Sequence, residues 1–297
     1  MKLILGHNQF IGISHISEDK SRDREKFFSK VENIYDVVEK ASELGFTDMI
    51  IETHPRMIEF LRYYEDSRTF DMNFFLQIPY VQGYVQQMNE NGLRGLIYDI
   101  VKRASLLTTI RVAWGASVNY LKKDYNALAL SALRLEIAPF KGFEIKSLLL
   151  HNVITDLLIS LDITEILHEF CDFTEDSLYL KPGLLTLNFP LLKRVLDERR
   201  ITPSFVMTPI NSVGFDMNPS KVAVETALKG YSGSIIAMNI LGGGSIPIKE
   251  SASYLKSFDN IEYAVIGASS ENHLKESMSI IGNSSDQFDN NDQLRLH

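Results

Sequence analysis

A chain of 297 residues, 45% apolar and 23% charged, suits a globular protein of one large domain or two ordinary ones. Its net charge of −8, from 38 acidic and 30 basic residues, and its short basic pairs (Lys122-Lys123, Arg199-Arg200) argue against a nucleic-acid partner. No apolar run approaches the roughly 20 residues that span a bilayer, so no membrane is expected. Met1-Lys2 leads straight into Leu3-Ile4-Leu5 without a secretion-signal pattern, and the single cysteine, Cys171, excludes an internal disulfide. Together these point to the cytoplasm.

The first apolar strand runs over Leu3 to Gly6, followed by His7-Asn8-Gln9 and a charged loop at 17–25. Helical spacing over Phe27 to Leu44 stops at Gly45. A second strand, Thr47 to Ile51, leads into Glu52-Thr53-His54-Pro55 and a helix from Met57 to Tyr64. Asn73 to Ile78 is the third strand, and residues 93–107 read as a helix. Residues 109–118 fit either a strand, from their β-branched residues, or an ordered loop around Gly115. A helix over 123–137 precedes the fourth strand, 145–151. There four buried-type residues end on a histidine, Ser147-Leu148-Leu149-Leu150-His151.

From here strands and helices alternate regularly. The helices are Asp162 to Phe173 (with Asp162 as N-cap), Pro190 to Arg199, Pro219 to Lys229, Ile248 to Lys256 and Asn272 to Ile281. The strands between them are Leu178 to Leu185, Phe205 to Pro209, Ser234 to Ile240 and Glu262 to Ile266. Without the 109–118 segment this makes eight strands, each followed by a helix. The pattern predicts an α/β fold, a single (β/α)8 TIM barrel over residues 1–282, with a polar, disordered tail at 283–297. An open doubly wound sheet is the alternative. It is disfavoured because no G-x-G-x-x-G follows the first strand.

Several segments together resemble the aldo-keto reductases. Ala129-Leu130-Ser131-Ala132-Leu133-Arg134-Leu135 running to Ser147-Leu148-Leu149-Leu150-His151 is similar to that family's "SLxRLG…DLLLxH". Ile235 to Gly244 is similar to "vvaMkpLggG", and Val265-Ile266-Gly267-Ala268-Ser269-Ser270 to "viGaSspehl". Gly183 to Asn188 stands at the "GvSxxN" segment. The resemblance covers most of the chain in the right order and implies an aldo-keto-reductase-like barrel. It also implies an oxidoreductase using NADP(H) on a small carbonyl or sugar-type substrate. His151 matches the carbonyl-orienting histidine, and Glu52 stands at the aspartate of "DTAxxY". The tyrosine that donates the proton falls on Met57, and the lysine that lowers its pKa falls on Gln77. A thioether has no proton to give, so the proton would come from another group, such as Tyr80, Tyr84 or Tyr120, or from water. The nicotinamide-anchoring serine falls on Leu185, with Thr186 beside it.

The strand ends themselves place His7, Glu52, His54, Gln77, His151, Lys181, Asn211 and Asn239 toward one end of a barrel, where such folds carry their sites. Glu52 and His54 are two apart, so on one strand they share a face. The catalytic candidates are His151, Glu52, His54 and Gln77. Glu52 serves either as a base or as a structural partner of Lys181. His7, His54 and His151, with Glu52, have the ligand types for Zn or Fe, or act as acids and bases without metal. Gly243, Gly244, Gly267, Ser269 and Ser270, after the last two strands, suit a phosphate of NADP or of a phosphorylated ligand. Asn211 either joins that cofactor site or holds a turn. Two readings stand beside the oxidoreductase: a metal-dependent or acid–base lyase, isomerase or hydrolase, and a catalytically silent ligand-binding barrel.

Overall fold

The computed structural model describes residues 1–12, 24–81, 125–267 and 270–282. The helix at 93–107, the segment 109–118, Tyr84, Tyr120, Ser269 and the tail at 283–297 lie outside the described residues. Eight strands close into a parallel barrel in sequence order. They are β1 (Lys2–Gly6), β2 (Asp48–Glu52), β3 (Asn73–Ile78), β4 (Ile145–Leu150), β5 (Lys181–Leu185), β6 (Phe205–Pro209), β7 (Ser234–Met238) and β8 (Ile261–Gly267). Closure is made by β1 against β8, in register from Lys2–Tyr263 to Gly6–Gly267. The open doubly wound sheet is therefore ruled out.

Side-chain alternation divides the apolar residues into two sets. Ile4, Ile50, Phe75, Leu149, Leu185, Phe205, Met207, Ile236 and Tyr263 fill the barrel interior. Residues of opposite parity, such as Leu5, Ile51, Leu76, Leu148 and Leu184, face the surrounding helices. Both faces of each strand are thus covered, which is why these strands are continuous apolar runs in the sequence. Phe75, Phe205 and Tyr263 meet edge-on or tilted at centroid distances of 5.6–5.8 Å and plug the interior. Below them Lys146 Nζ lies 3.1 Å from Asp48 Oδ1 and 3.3 Å from the Tyr263 hydroxyl, closing the N-terminal end.

The helices are α1 (Val31–Glu43), α2 (Pro55–Ser67), α3 (Tyr125–Ile137), α4 (Asn152–Ser160), α5 (Glu165–Asp172), α6 (Phe189–Arg199), α7 (Lys221–Lys229), α8 (Ile248–Leu255) and α9 (Glu271–Ile281). The structure corrects four expectations from the sequence. First, α4 is an additional helix, because its apolar residues point both inward (Leu158, Ile159) and outward (Val153, Leu157, Leu161), so no clean 3.6-residue face shows. Second, Asp162 is not an N-cap: it sits at φ 54°, carries a bond from Arg199 at 3.2 Å, and Thr164 precedes α5 instead. Third, residues 178–180 are not strand, because α5 continues as a π-helical turn over Phe173–Ser177. Fourth, Lys181 begins β5 rather than ending it. It is exposed at the barrel's N-terminal end, paired in register with Ser147, and so is no partner for Glu52.

Candidate active site

The C-terminal mouth of the barrel opens into a cavity of about 530 Å³, lined by His7, Glu52, Gln77 and His151 among others. That size suits a small-molecule ligand. Each strand end delivers its side chain differently. β4 ends at Leu150, and His151 is the N-cap of α4, in extended backbone at φ −60°, ψ 141°. Its Nδ1 accepts the Val153 N–H at 3.1 Å. An acceptor nitrogen carries no proton, so the neutral ring holds its proton on Nε2 and can donate it into the cavity. Burial pushes the His151 pKa below its usual value, and His7 adds to this while Glu52 opposes it.

His54 caps α2 by the same device, its Nδ1 accepting the Arg56 N–H at 3.0 Å. The outcome differs because β2 ends at Glu52, so the strand alternation expected to align Glu52 with His54 has already stopped. The His54 ring packs edge-on against Tyr80 at 4.7 Å and does not line the cavity. The ligand set His7, His54 and His151 is consequently not brought together. Among the described residues, no group of three histidine, cysteine or carboxylate side chains is arranged to hold a metal ion.

His7 follows β1 and turns inward at the start of a 3-10 turn over Asn8–Ile11. Its Nε2 lies 3.5 Å from Glu52 Oε2, and both side chains are buried. This exceeds hydrogen-bonding distance for a direct N–H···O contact, yet one ligand atom or water can bridge the two. Gln77, the second-last residue of β3, pairs in register with Glu52 and also lines the cavity. Met57, where the reductase resemblance expects the phenol, is fully buried in the core under α2. The phenol position is therefore turned away from the cavity as well as chemically altered. Tyr80 does line the cavity.

Among the described residues, buried side-chain atoms without a hydrogen-bond partner are His7 Nε2, Gln9 Nε2, Glu52 Oε1, His273 Nδ1 and two threonine hydroxyls. All but the threonines line this one cavity. Buried polar groups are ordinarily paired, so the convergence of these orphans on one space makes this cavity the candidate site among the described residues. Gln9 and His273 escape sequence reasoning as site residues. Gln9 looks like a loop residue in the sequence, and His273 becomes a cavity residue only because Ser270 caps α9, its hydroxyl accepting the His273 N–H at 3.2 Å.

A second carboxyl stands behind Glu52. Thr53 donates its hydroxyl to Glu136 Oε1 and accepts the Tyr80 N–H at 2.9 Å. Burial pushes the Glu136 carboxyl up to about 7; the Thr53 and Tyr80 hydrogen bonds oppose this, and Glu52 adds to it. The sequence carries no signal for this residue, since Glu136 sits at the end of α3, far along the chain from Thr53.

The expected cofactor residues divide. Gly243, Gly244 and Gly267 line the cavity. Gly243 and Gly244 are exposed, with φ of 69° and 92°, and the Gly244 N–H donates to the Leu241 carbonyl at 2.9 Å, so this loop offers open space more than free donors. Ser270 caps α9 with its hydroxyl. Thr186 is buried on the outer side of its strand, donating to Asp156 and accepting the Asn188 N–H at 2.8 Å, so it is turned away from the cavity that its neighbours Leu185 and Leu187 line. The buried Asn211 is committed to holding the loop after β6. Its Oδ1 accepts the Phe215 N–H at 2.8 Å, and its Nδ2 donates to the Phe215 and Asn239 carbonyls at 2.8 and 3.2 Å.

No protein-family model matches the chain, and comparison with curated proteins finds no match. Solved structures do match. Two, both described as "putative aldo-keto reductase" from Pseudomonas aeruginosa, align with TM-scores of 0.55 at 15% identity, over 95% of this chain and 90% and 89% of theirs. The chain shares its barrel fold with these two structures. At this identity the likeness concerns the barrel and its connectivity. The chemistry of an aldo-keto-reductase-like barrel has to be argued from the side chains at its mouth.

Proposed function

We propose that this barrel is an enzyme acting on a small carbonyl compound, by proton transfer at the His7–Glu52 pair. The observation that carries the reading is that His7 Nε2 and Glu52 Oε1 are both buried, both without a hydrogen-bond partner among the described residues, and both on the same cavity. His151 Nε2–H and the Gln77 amide are donors suited to a carbonyl oxygen, and neither bears a charge that an oxyanion would have to displace. The imidazole of His7 can take or give a proton through Nε2, which faces Glu52 Oε2 at 3.5 Å. Exchange of hydrogen at the carbon beside a carbonyl tests this directly. Proton NMR in D2O on a panel of small ketones and aldehydes should show exchange above the buffer rate, lowered about 100-fold or more in His7→Gln. Exchange no faster than buffer across the panel would sink the reading.

A second reading adds a nicotinamide cofactor. It is favoured by the start of α9 at Ser270, which suits a phosphate group, and by the exposed Gly243-Gly244 loop that lines the same cavity. NADP would be held there through backbone N–H groups at the start of α9, and when bound it would supply hydride to the carbonyl carbon. Proton delivery would still fall to His7 or to Tyr80, since Met57 is in the core. Fluorescence titration with NADPH checks this version, and absence of binding at millimolar cofactor removes it.

A further inference from the structure

Glu52 is 4% exposed, and its two oxygens have different surroundings. Oε2 faces His7 at 3.5 Å, and Oε1 has no hydrogen-bond partner among the described residues. A carboxylate removed from water is costly unless a cation or several donors meet it. Neither histidine beside it meets that need. The gap to His7 is longer than the roughly 2.7–2.9 Å of a charge-assisted N–H···O bond. His151 is held neutral, because protonating its Nδ1 would break the cap on Val153. Glu136, behind Thr53, adds a second carboxyl rather than a cation. Lys181, the lysine on the neighbouring strand to β4, is at the opposite end of the barrel. Among the described residues, Glu52 has no ion-pair partner except His7. Asp216, the other carboxylate on the cavity, is exposed at the rim and accepts the Asn239 amide at 2.9 Å. Arg24 also lines the cavity but makes no ion pair with Glu52, so among the described residues the buried Glu52 carboxylate is left without a close cation.

We propose that the cation comes with the ligand: the site takes a small molecule bearing a protonated primary amine, received by Glu52 Oε1 with the Gln77 carbonyl beside it. A hydroxyl would offer Oε1 one neutral donor. An ammonium offers three donors and the missing charge. The apolar residues around these groups, Ile50, Leu185 and Met207, suit a short hydrocarbon frame next to the amine. This rests on the reading of the cavity as a carbonyl-handling site and narrows it to amino-carbonyl compounds.

The test is a matched pair of probes on the full chain, cyclohexylmethylamine and cyclohexylmethanol, by isothermal titration calorimetry at neutral pH. We expect the amine to bind at least tenfold more tightly than the alcohol. Glu52→Gln should abolish that preference, Glu52→Asp should retain part of it, and Asp216→Asn should retain it. Equal binding of the two probes, or binding of neither, overturns the proposal, and both results need only the wild-type chain. A preference that survives Glu52→Gln and is lost in Asp216→Asn also overturns it, by moving the cation to the rim. Because this experiment reads equilibrium binding, it fails independently of the exchange assay. Amine preference without exchange would leave an amine site without turnover, and exchange without amine preference would leave a carbonyl enzyme whose substrate lacks the amine.

Discussion

At the scale of single residues, the mouth of the barrel holds two titrating groups that push stability in opposite directions with pH. The carboxyl of Glu136 titrates at about 7 in the folded chain against an ordinary 4.5, so the folded state holds a proton that the unfolded state releases. Its contribution is fully present below about pH 4.5 and is lost as pH rises toward 7. His151 is the reverse case. Its folded pKa lies below the usual 6.5, so its contribution is present above that value and is lost as pH falls below it. Glu136→Gln isolates the first effect, since its amide oxygen can still accept from Thr53. We expect the stability of Glu136→Gln relative to wild type to rise by about 1–3 kcal/mol between pH 5 and pH 8, read by urea denaturation at each pH. A difference that does not change with pH would show that Glu136 is ionised throughout. His151→Asn keeps a side-chain acceptor for the Val153 N–H while removing Nε2–H. Far-UV circular dichroism should therefore change little, while carbonyl-dependent exchange falls about 10- to 100-fold.

Individual elements are positioned by close packing inside the barrel, and Gly183 on β5 shows how tightly. A Cβ there would stand 2.3 Å from Leu149 Cδ2 and 3.5 Å from Phe205 Cβ. Both neighbours are interior residues, with Leu149 fully buried, so neither has free space to retreat into. Gly183→Ala should destabilise the fold by about 1–3 kcal/mol through overpacking, measurable as a lowered urea midpoint at unchanged slope. The same close approach explains the Pro182-Gly183 pair that interrupts this strand in the sequence. A glycine inside a strand marks a place where another group comes near. The capping histidines are a second example at this scale. His54 and His151 both accept an N–H from the second helical residue, and only the register at which each strand ends sends one ring to the cavity and the other against Tyr80.

Across the whole molecule, the two ends of the barrel do different work. The N-terminal end is closed by Asp48, 1% exposed, bonded by Lys146, Asn73 and Thr47, with Lys146 also over the Phe75 and Tyr263 rings at 5.4 and 5.6 Å. Polar groups here are paired, whereas at the C-terminal end His7 Nε2, Gln9 Nε2, Glu52 Oε1 and His273 Nδ1 have no hydrogen-bond partner among the described residues. Removing one partner of a buried pair leaves an uncompensated charge, so Lys146→Met should cost about 3–5 kcal/mol while leaving ligand affinity unchanged. Glu52→Gln should do the opposite, abolishing ligand discrimination with stability unchanged or raised, because it removes a buried charge that the fold leaves unpaired. Thermal unfolding and calorimetric titration on the same two variants decide this. Loss of ligand binding in folded Lys146→Met would mean that the two ends are coupled through the aromatic plug.

The amino-acid sequence by itself determines much of this architecture. The alternation of eight apolar runs with helices dictates the parallel barrel, because strands covered on both faces must be apolar throughout and parallel strands need helical crossovers. The histidine closing Ser147 to His151 stands on the cavity at the C-terminal end of the barrel, and Gly243, Gly244 and Gly267 are part of the wall of that cavity. What the sequence does not decide is which strand-end residues meet. That depends on where each strand stops, a matter of one or two residues: β2 stops at Glu52 and so loses His54, while Lys181 begins its strand and so leaves the site. Nor does the sequence place Glu136 behind Glu52 or His273 on the cavity, since both contacts join residues far apart along the chain and carry no local pattern. Periodicity is a local property that burial writes into the sequence. Convergence of unpaired polar atoms on one cavity is a property of the closed barrel, and only the tertiary structure shows it.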